Sequence, residues 1–239
     1  MSKLPSKKKT IRDNIITGLI LLFALVGIVT TLSYFVHLFK IAQAKLFPGT
    51  AIEEDINVYV KTIDVERPEI DVQLLTINPY SRPGIAISGV KNVVIHYTAN
   101  PGSTAQQNRD YFEGLKDRQE LKVSSHFIIG LDGEIIQCIP TSEISYASNN
   151  RNGDTVSIEC CHPDKSGKFT KKTYNSLVWL SAFICAKYDL SGDDLIRHYD
   201  VSGKLCPKYF VENEDKWLKL KADVNTFIKE RGSKEFNDE

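Results

Sequence analysis

The sequence predicts an α/β domain, a central mixed β-sheet flanked by helices, preceded by one N-terminal transmembrane helix. Three observations predict it. Strand-like apolar runs alternate with helix-period segments from residue 91 onward. Two of those runs bracket Asp132-Gly133, a strong hairpin signal. Residues 14–39 carry no charge at all, which exceeds the roughly 20 apolar residues a helix needs to cross a bilayer.

The leader is read first. "SKLPSKKKTIRD" holds five basic residues and one acid, and basic residues ahead of an apolar span keep that end in the cytoplasm. Residues 1–13 are therefore a cytoplasmic basic segment and residues 14–39 a membrane span. The competing reading is a cleaved signal peptide, because Ala42, Gln43 and Ala44 resemble a small-x-small cleavage site. The apolar run is longer than the usual h-region of about 7–15 residues, and Lys40 separates it from that site. The expectation is an uncleaved single-pass anchor, with the bulk of the chain outside the cytoplasm at the cell membrane.

Residues 40–85 read as an extracytoplasmic stalk or linker carrying one short strand, ending in the turn-rich "NPYSRPG". Residues 86–231 form the domain. "KNVVIHYTA" is a central strand ending at a loop. "STAQQNRDYFEGL" opens with Ser/Thr cap candidates and reads as a helix. "SSHFIIGLDGEIIQCIP" is the hairpin and "DTVSIECC" another strand. "TYNSLVWLSAFICAKYD" and "DKWLKLKADVNTFIKE" have apolar residues at helical spacing. Between them "LIRHYD" is a short strand entering the loop "RHYDVSGKLCP". Residues 232–239 are a charged tail.

Thirty basic and thirty acidic residues balance, which gives no global basic field of the kind that marks nucleic-acid binders. Five cysteines stand at 138, 160, 161, 185 and 206 with no CxxC, so a zinc ribbon or thioredoxin-type motif is not indicated. Disulfides are permitted outside the cytoplasm, but the sequence does not pair Cys138, Cys160, Cys161 and Cys185.

The loop 197–207 gathers His198, Lys204 and Cys206. Thiolate and imidazole suit zinc. A strand-end His and a buried thiol are the bland alternative. His96, at the end of its strand, adds a third donor where a rigid scaffold meets a loop. Three protein ligands leave a fourth position for water, as in catalytic rather than structural zinc sites. His126 reads as a substrate contact or a spare ligand, and His162 as a surface residue. His37 lies in the membrane segment. Tyr97 and Asn100, after His96, are further substrate-contact candidates. Glu159 is either on a solvated strand face or a general base whose pKa burial would raise. Lys204 is either a solvated loop lysine or a cation beside a developing oxyanion. Asp200 reads as an Asx-type brace of the loop.

Together "VVIHYTAN", "SSHFIIGLDGEIIQCIP", "VSIECCHP" and "RHYDVSGKLCP" resemble the zinc-dependent N-acetylmuramoyl-L-alanine amidases of the phage-lysozyme and peptidoglycan-recognition-protein superfamily. They occur in the family's order and span about half the chain. The resemblance implies that His96, His198 and Cys206 bind zinc and that Lys204 is the catalytic cation. Some members carry a catalytic Tyr where this chain has Ser125; another branch uses a Glu in the strand matching "VSIECC", and Glu159 fits that branch. Non-catalytic members typically lose the Cys ligand, which is retained here. The implied reaction is hydrolysis of the amide between N-acetylmuramic acid and L-alanine of the peptidoglycan stem. The rivals are a muropeptide-binding module of the same fold, a zinc peptidase cutting within the stem, and a scaffolding membrane protein.

Overall fold

The computed structural model describes residues 65–230. The basic segment, the expected membrane span at 14–39 and the tail at 232–239 lie outside the described residues. No helix among the described residues is long and apolar enough to cross a membrane.

Six strands form one mixed sheet. They are β1 (Asp71–Val72), β2 (Asn92–Tyr97), β3 (Phe127–Ile129), β4 (Ile135–Gln137), β5 (Thr155–Cys160) and β6 (Leu195–Arg197), in the spatial order β1-β4-β3-β5-β2-β6. Only β3 and β4 run antiparallel, around the Asp132-Gly133 turn, where Gly133 adopts φ +86°. That conformation is open to glycine because it lacks a Cβ. The longest strands, β2 and β5, lie side by side inside the sheet and read as near-continuous apolar runs. Such runs are the mark of parallel strands covered on both faces.

Among the described residues five α-helices accompany the sheet: α1 (Ala105–Arg118), α2 (Lys171–Lys187), α3 (His198–Ser202), α4 (Lys208–Glu212) and α5 (Glu214–Lys229). α1 starts at a capping box. Thr104 Oγ1 accepts from the Gln107 N–H at 3.1 Å, and Gln107 Oε1 accepts from the Thr104 N–H at 3.0 Å. Strand alternation sorts the core into two clusters. Val93, Ile95, Val156 and Ile158 pack with α2 and α5 residues such as Leu177, Leu180, Leu220 and Val224. Ile128 and Ile136 pack with Phe112 and Leu115 of α1.

Residues 40–64 of the expected stalk lie outside the described residues, and residues 65–85 pack against the domain. Val65 and Leu75 are buried, and β1 pairs with β4. Arg82 makes a bidentate pair with Glu143 at 2.9 and 2.7 Å and donates to the Leu75 carbonyl at 2.8 Å. Truncating a buried leucine such as Leu75 costs about 2–5 kcal/mol, so this segment belongs to the folding unit. The segment after β6 also differs from expectation: it begins as the helix α3 and not as an irregular loop.

Candidate metal centre and active site

His96 and Glu159 reach the same point because β2 and β5 are parallel and in register, with His96 opposite Glu159. Side chains of paired residues project from one face, and both sit at the carboxyl ends of their strands, where open α/β sheets place ligands. His198 is delivered differently. β6 pairs with β2 up to Arg197, and α3 starts at the next residue. Asp200 Oδ2 accepts from the Arg197 N–H at 2.8 Å, and its carboxylate also holds the Arg197 guanidinium. The bracing expected of Asp200 is thus made to Arg197. Arg197 itself lies between the rings of Tyr199 and Trp217, 5.6 and 5.4 Å from their centroids.

Gly203 then ends α3 at φ +74°, and the chain doubles back. The Tyr199 N–H donates to the Cys206 carbonyl at 2.9 Å, which returns Cys206 to His198.

The result is a three-donor cluster. One ligand atom each from His96, His198 and Cys206 lies within 4.8 Å of the others, and all three residues are buried. His96 Nδ1 stands 3.8 Å from Cys206 Sγ and 3.9 Å from Glu159 Oε1. Zinc–nitrogen and zinc–sulfur bonds of about 2.0 and 2.3 Å separate tetrahedral ligand atoms by roughly 3.5 Å, so these spacings fit.

The hydrogen bonding fits as well. His198 Nε2 lies 2.9 Å from Asn149 Oδ1, an acceptor, so Nε2 carries the proton. His198 Nδ1 then has a lone pair and, though buried, no hydrogen-bond partner among the described residues. An orphaned imidazole nitrogen beside a thiol and a second imidazole is a donor set suited to zinc. Burial, then the charges of His198 and Lys204, hold His96 well below the usual histidine range. Burial and Lys204 also lower His198. Both rings are therefore neutral and able to ligate at neutral pH. Burial pushes the Cys206 thiol up to about 12.

A cavity of about 270 Å³ opens over the cluster, and Tyr97, Thr98, Tyr111, Glu159 and Lys204 share its lining with the three donors. Glu159 Oε2 is buried without a hydrogen-bond partner among the described residues. Burial raises its carboxyl to about 8, against the pull of Lys204. Lys204 is exposed at the mouth. An imidazole pair, a thiol, a carboxyl that exchanges its proton near neutrality and a cation can together activate water and stabilise an oxyanion.

Tyr97 lines this cavity, whereas Asn100 lines an adjoining groove. Two histidines depart from expectation. His126 does not face the cavity. Its Nδ1 accepts from the Ser157 N–H at 3.0 Å, and its Nε2 donates to the Glu143 carbonyl at 2.9 Å. It is a fully buried core residue with both nitrogens engaged, so it has nothing left for a substrate. His162 is not on the surface. It is buried with its ring 5.0 Å from that of Tyr97. Sequence reasoning missed Asn149, which sits in a turn-rich run with no sequence signal linking it to His198. All five cysteines are free and buried.

Comparisons with known proteins agree with this architecture. Residues 87–209 match the Amidase_2 family, described as N-acetylmuramoyl-L-alanine amidase. The chain is 33% identical over 165 residues to the amidase CwlL of Bacillus licheniformis, covering 64% of this chain and 45% of that protein. It is 32% identical over 171 residues to the amidase BlyA of Bacillus subtilis (strain 168), covering 63% and 45%. The chain thus spans less than half the length of these two relatives. A solved mutant endolysin from Bacillus subtilis superposes with a TM-score of 0.55 at 28% identity, over 66% of this chain and 99% of that one. With more than half its residues matched, and with the metal-type cluster and its carboxylate inside the matched region, the chain belongs to the Amidase_2 family of N-acetylmuramoyl-L-alanine amidases.

Proposed function

We propose that this protein is a zinc-dependent peptidoglycan hydrolase that cleaves the amide between N-acetylmuramic acid and the L-alanine of the stem peptide. The observation that carries the reading is the cluster of His96, His198 and Cys206 beneath a cavity that also holds Glu159 and Lys204. These three residues would hold the zinc, which supplies Lewis-acid polarisation of the carbonyl and a lowered pKa for its water. Asn149 orients the His198 ring through Nε2. Glu159 takes a proton from the attacking water on Oε2, the oxygen without a protein partner, and returns it to the leaving amine nitrogen. Burial raises this carboxyl toward neutrality, the range in which one group can both accept and return a proton. Lys204 places its ammonium where negative charge develops on the carbonyl oxygen.

The charge-free run at residues 14–39 and the basic leader support a single-pass anchor holding the domain outside the cytoplasmic membrane, where the wall is within reach. N-terminal sequencing of protein recovered from membranes tests the anchor; a start at Lys45 would make it a signal peptide.

The reaction is tested by mass spectrometry of muropeptides incubated with the full-length chain. An amidase releases intact stem peptides with a free L-alanine amine. Fragments cut inside the stem would mean a peptidase, and intact muropeptides a binding module.

A further inference from the structure

We propose that the groove between the β2–α1 loop and the first turns of α1 binds the uncharged glycan of the substrate, beside the centre where the amide is cut. This deepens the amidase reading and rests on it. The groove has a volume of about 720 Å³, within the roughly 300–1,000 Å³ of ordinary ligand sites. It shares Thr98, Asn108 and Tyr111 with the cavity over the metal-type cluster, so one ligand can occupy both.

The lining chooses between the two halves of a muropeptide. Among the described residues, no Asp, Glu, Lys, Arg or His lines the groove. A stem peptide carries ionised groups, and seating one where no opposite charge answers it costs hydration without return. A chain of N-acetylated sugars is neutral and presents hydroxyls, acetamides and apolar ring faces. The groove offers the matching groups: the carboxamides of Asn100, Gln107 and Asn108, the hydroxyl of Thr98 and the ring of Tyr111.

Two of those carboxamides are fixed in advance. Asn108 Nδ2 donates to Ser103 Oγ at 2.9 Å and to the Thr104 carbonyl at 2.7 Å. Gln107 Oε1 is held by the Thr104 N–H. Ser103 Oγ donates to the Asn100 carbonyl at 2.7 Å, which closes the loop. Thr98 Oγ1, at the boundary of the two spaces, is buried and has no hydrogen-bond partner among the described residues. Tyr111 keeps 44% of its surface exposed although the Arg118 guanidinium stands 5.0 Å from its ring centre. A sugar seated here leaves the charged stem to the part of the cavity that Lys204 lines and the groove does not reach.

The test uses full-length Glu159→Gln protein, so that nothing turns over, and two probes: the tetramer of N-acetylglucosamine and a free stem tripeptide. NMR should show the tetramer shifting the side-chain amide signals of Asn100, Gln107 and Asn108, and the tripeptide leaving them in place. Tyr111→Ala and Asn100→Ala, both at exposed side chains, should each weaken tetramer binding about tenfold, the loss of one good contact. No tetramer binding, binding indifferent to both substitutions, or the same signals moving with the tripeptide would overturn the proposal. The amidase reading is judged separately by wild-type products. Tetramer bound in the groove without amide cleavage sinks that reading alone; cleavage without tetramer binding sinks the glycan site alone.

Discussion

Asn149 Oδ1 accepts a hydrogen bond from His198 Nε2 at 2.9 Å, and this one contact decides which nitrogen of His198 faces the cavity. Outer partners of metal-binding histidines are typically worth about 10–100-fold in affinity. Asn149→Ala should weaken zinc binding by that factor, measured by competition with a chromophoric chelator. Asn149 has φ +53°, a left-handed conformation that Asp adopts at lower cost than Ala. Asn149→Asp should therefore keep both the backbone and the acceptor, and bind zinc at least as tightly as wild type.

Zinc uptake should release protons. His96 and His198 are already neutral at pH 7, because burial lowers both. The Cys206 thiol, raised to about 12, must lose its proton to ligate. Affinity should rise about tenfold per pH unit for each proton released. Glu159 contributes a second, partial release in wild type. In Glu159→Gln the slope should fall to one proton, as read by calorimetry in buffers of different ionisation enthalpy.

Metal-free protein should lose stability as pH rises. Burial, opposed by Lys204, raises the Glu159 carboxyl from 4.5 to about 8 in the folded state. The folded chain then holds a proton that the unfolded chain has released, so this contribution is complete below pH 4.5 and is lost up to about pH 8. Every tenfold difference in proton affinity between the folded and unfolded chain is worth about 1.4 kcal/mol. Glu159→Gln should match wild type at low pH and exceed it by a few kcal/mol above pH 8, seen as a higher Tm. Zinc supplies a compensating charge and should shrink the difference. Equal stability at pH 9 without metal would place Glu159 in a wetter site than the structure gives it.

Turnover should separate the carboxylate from the cation. Glu159→Gln should lose about 10²–10⁴-fold in kcat, the usual worth of acid–base help. Lys204→Ala should lose about 10²–10³-fold, the worth of one oxyanion donor. Both proteins should retain zinc by elemental analysis, since neither residue belongs to the three-donor cluster. Loss of metal in either variant would mean that the kinetic defect is structural.

Periodicity made most of the sheet and the long helices legible. β2, β5, the β3–β4 hairpin, α2 and α5 all fall where apolar spacing puts them. Residues 65–85 escaped because their buried apolar residues, Val65, Pro68 and Leu75, are too few to show a period. What anchors that segment is Arg82 reaching Glu143 far along the chain, which no local pattern encodes. α3 escaped because five residues are too few to show a period. The donors could be read from residue type and from strand-end position. His126 and His162 could not, because burial there depends on Ser157, Glu143 and Tyr97, partners that only the folded topology supplies.

The pairing of His96 with Glu159 across β2 and β5 also sets where this sequence can change its length. Side chains alternate along a strand, so sliding β5 by one residue would turn Glu159 to the opposite face while leaving the apolar content of the strand intact. A single-residue insertion or deletion inside Thr155–Cys160 therefore removes the carboxylate from the histidine even where the domain still folds. Extra residues on the solvent side of the connection from β4 to β5 leave that pairing untouched. Length variation across related sequences should accordingly collect in such connections and stop abruptly at Thr155.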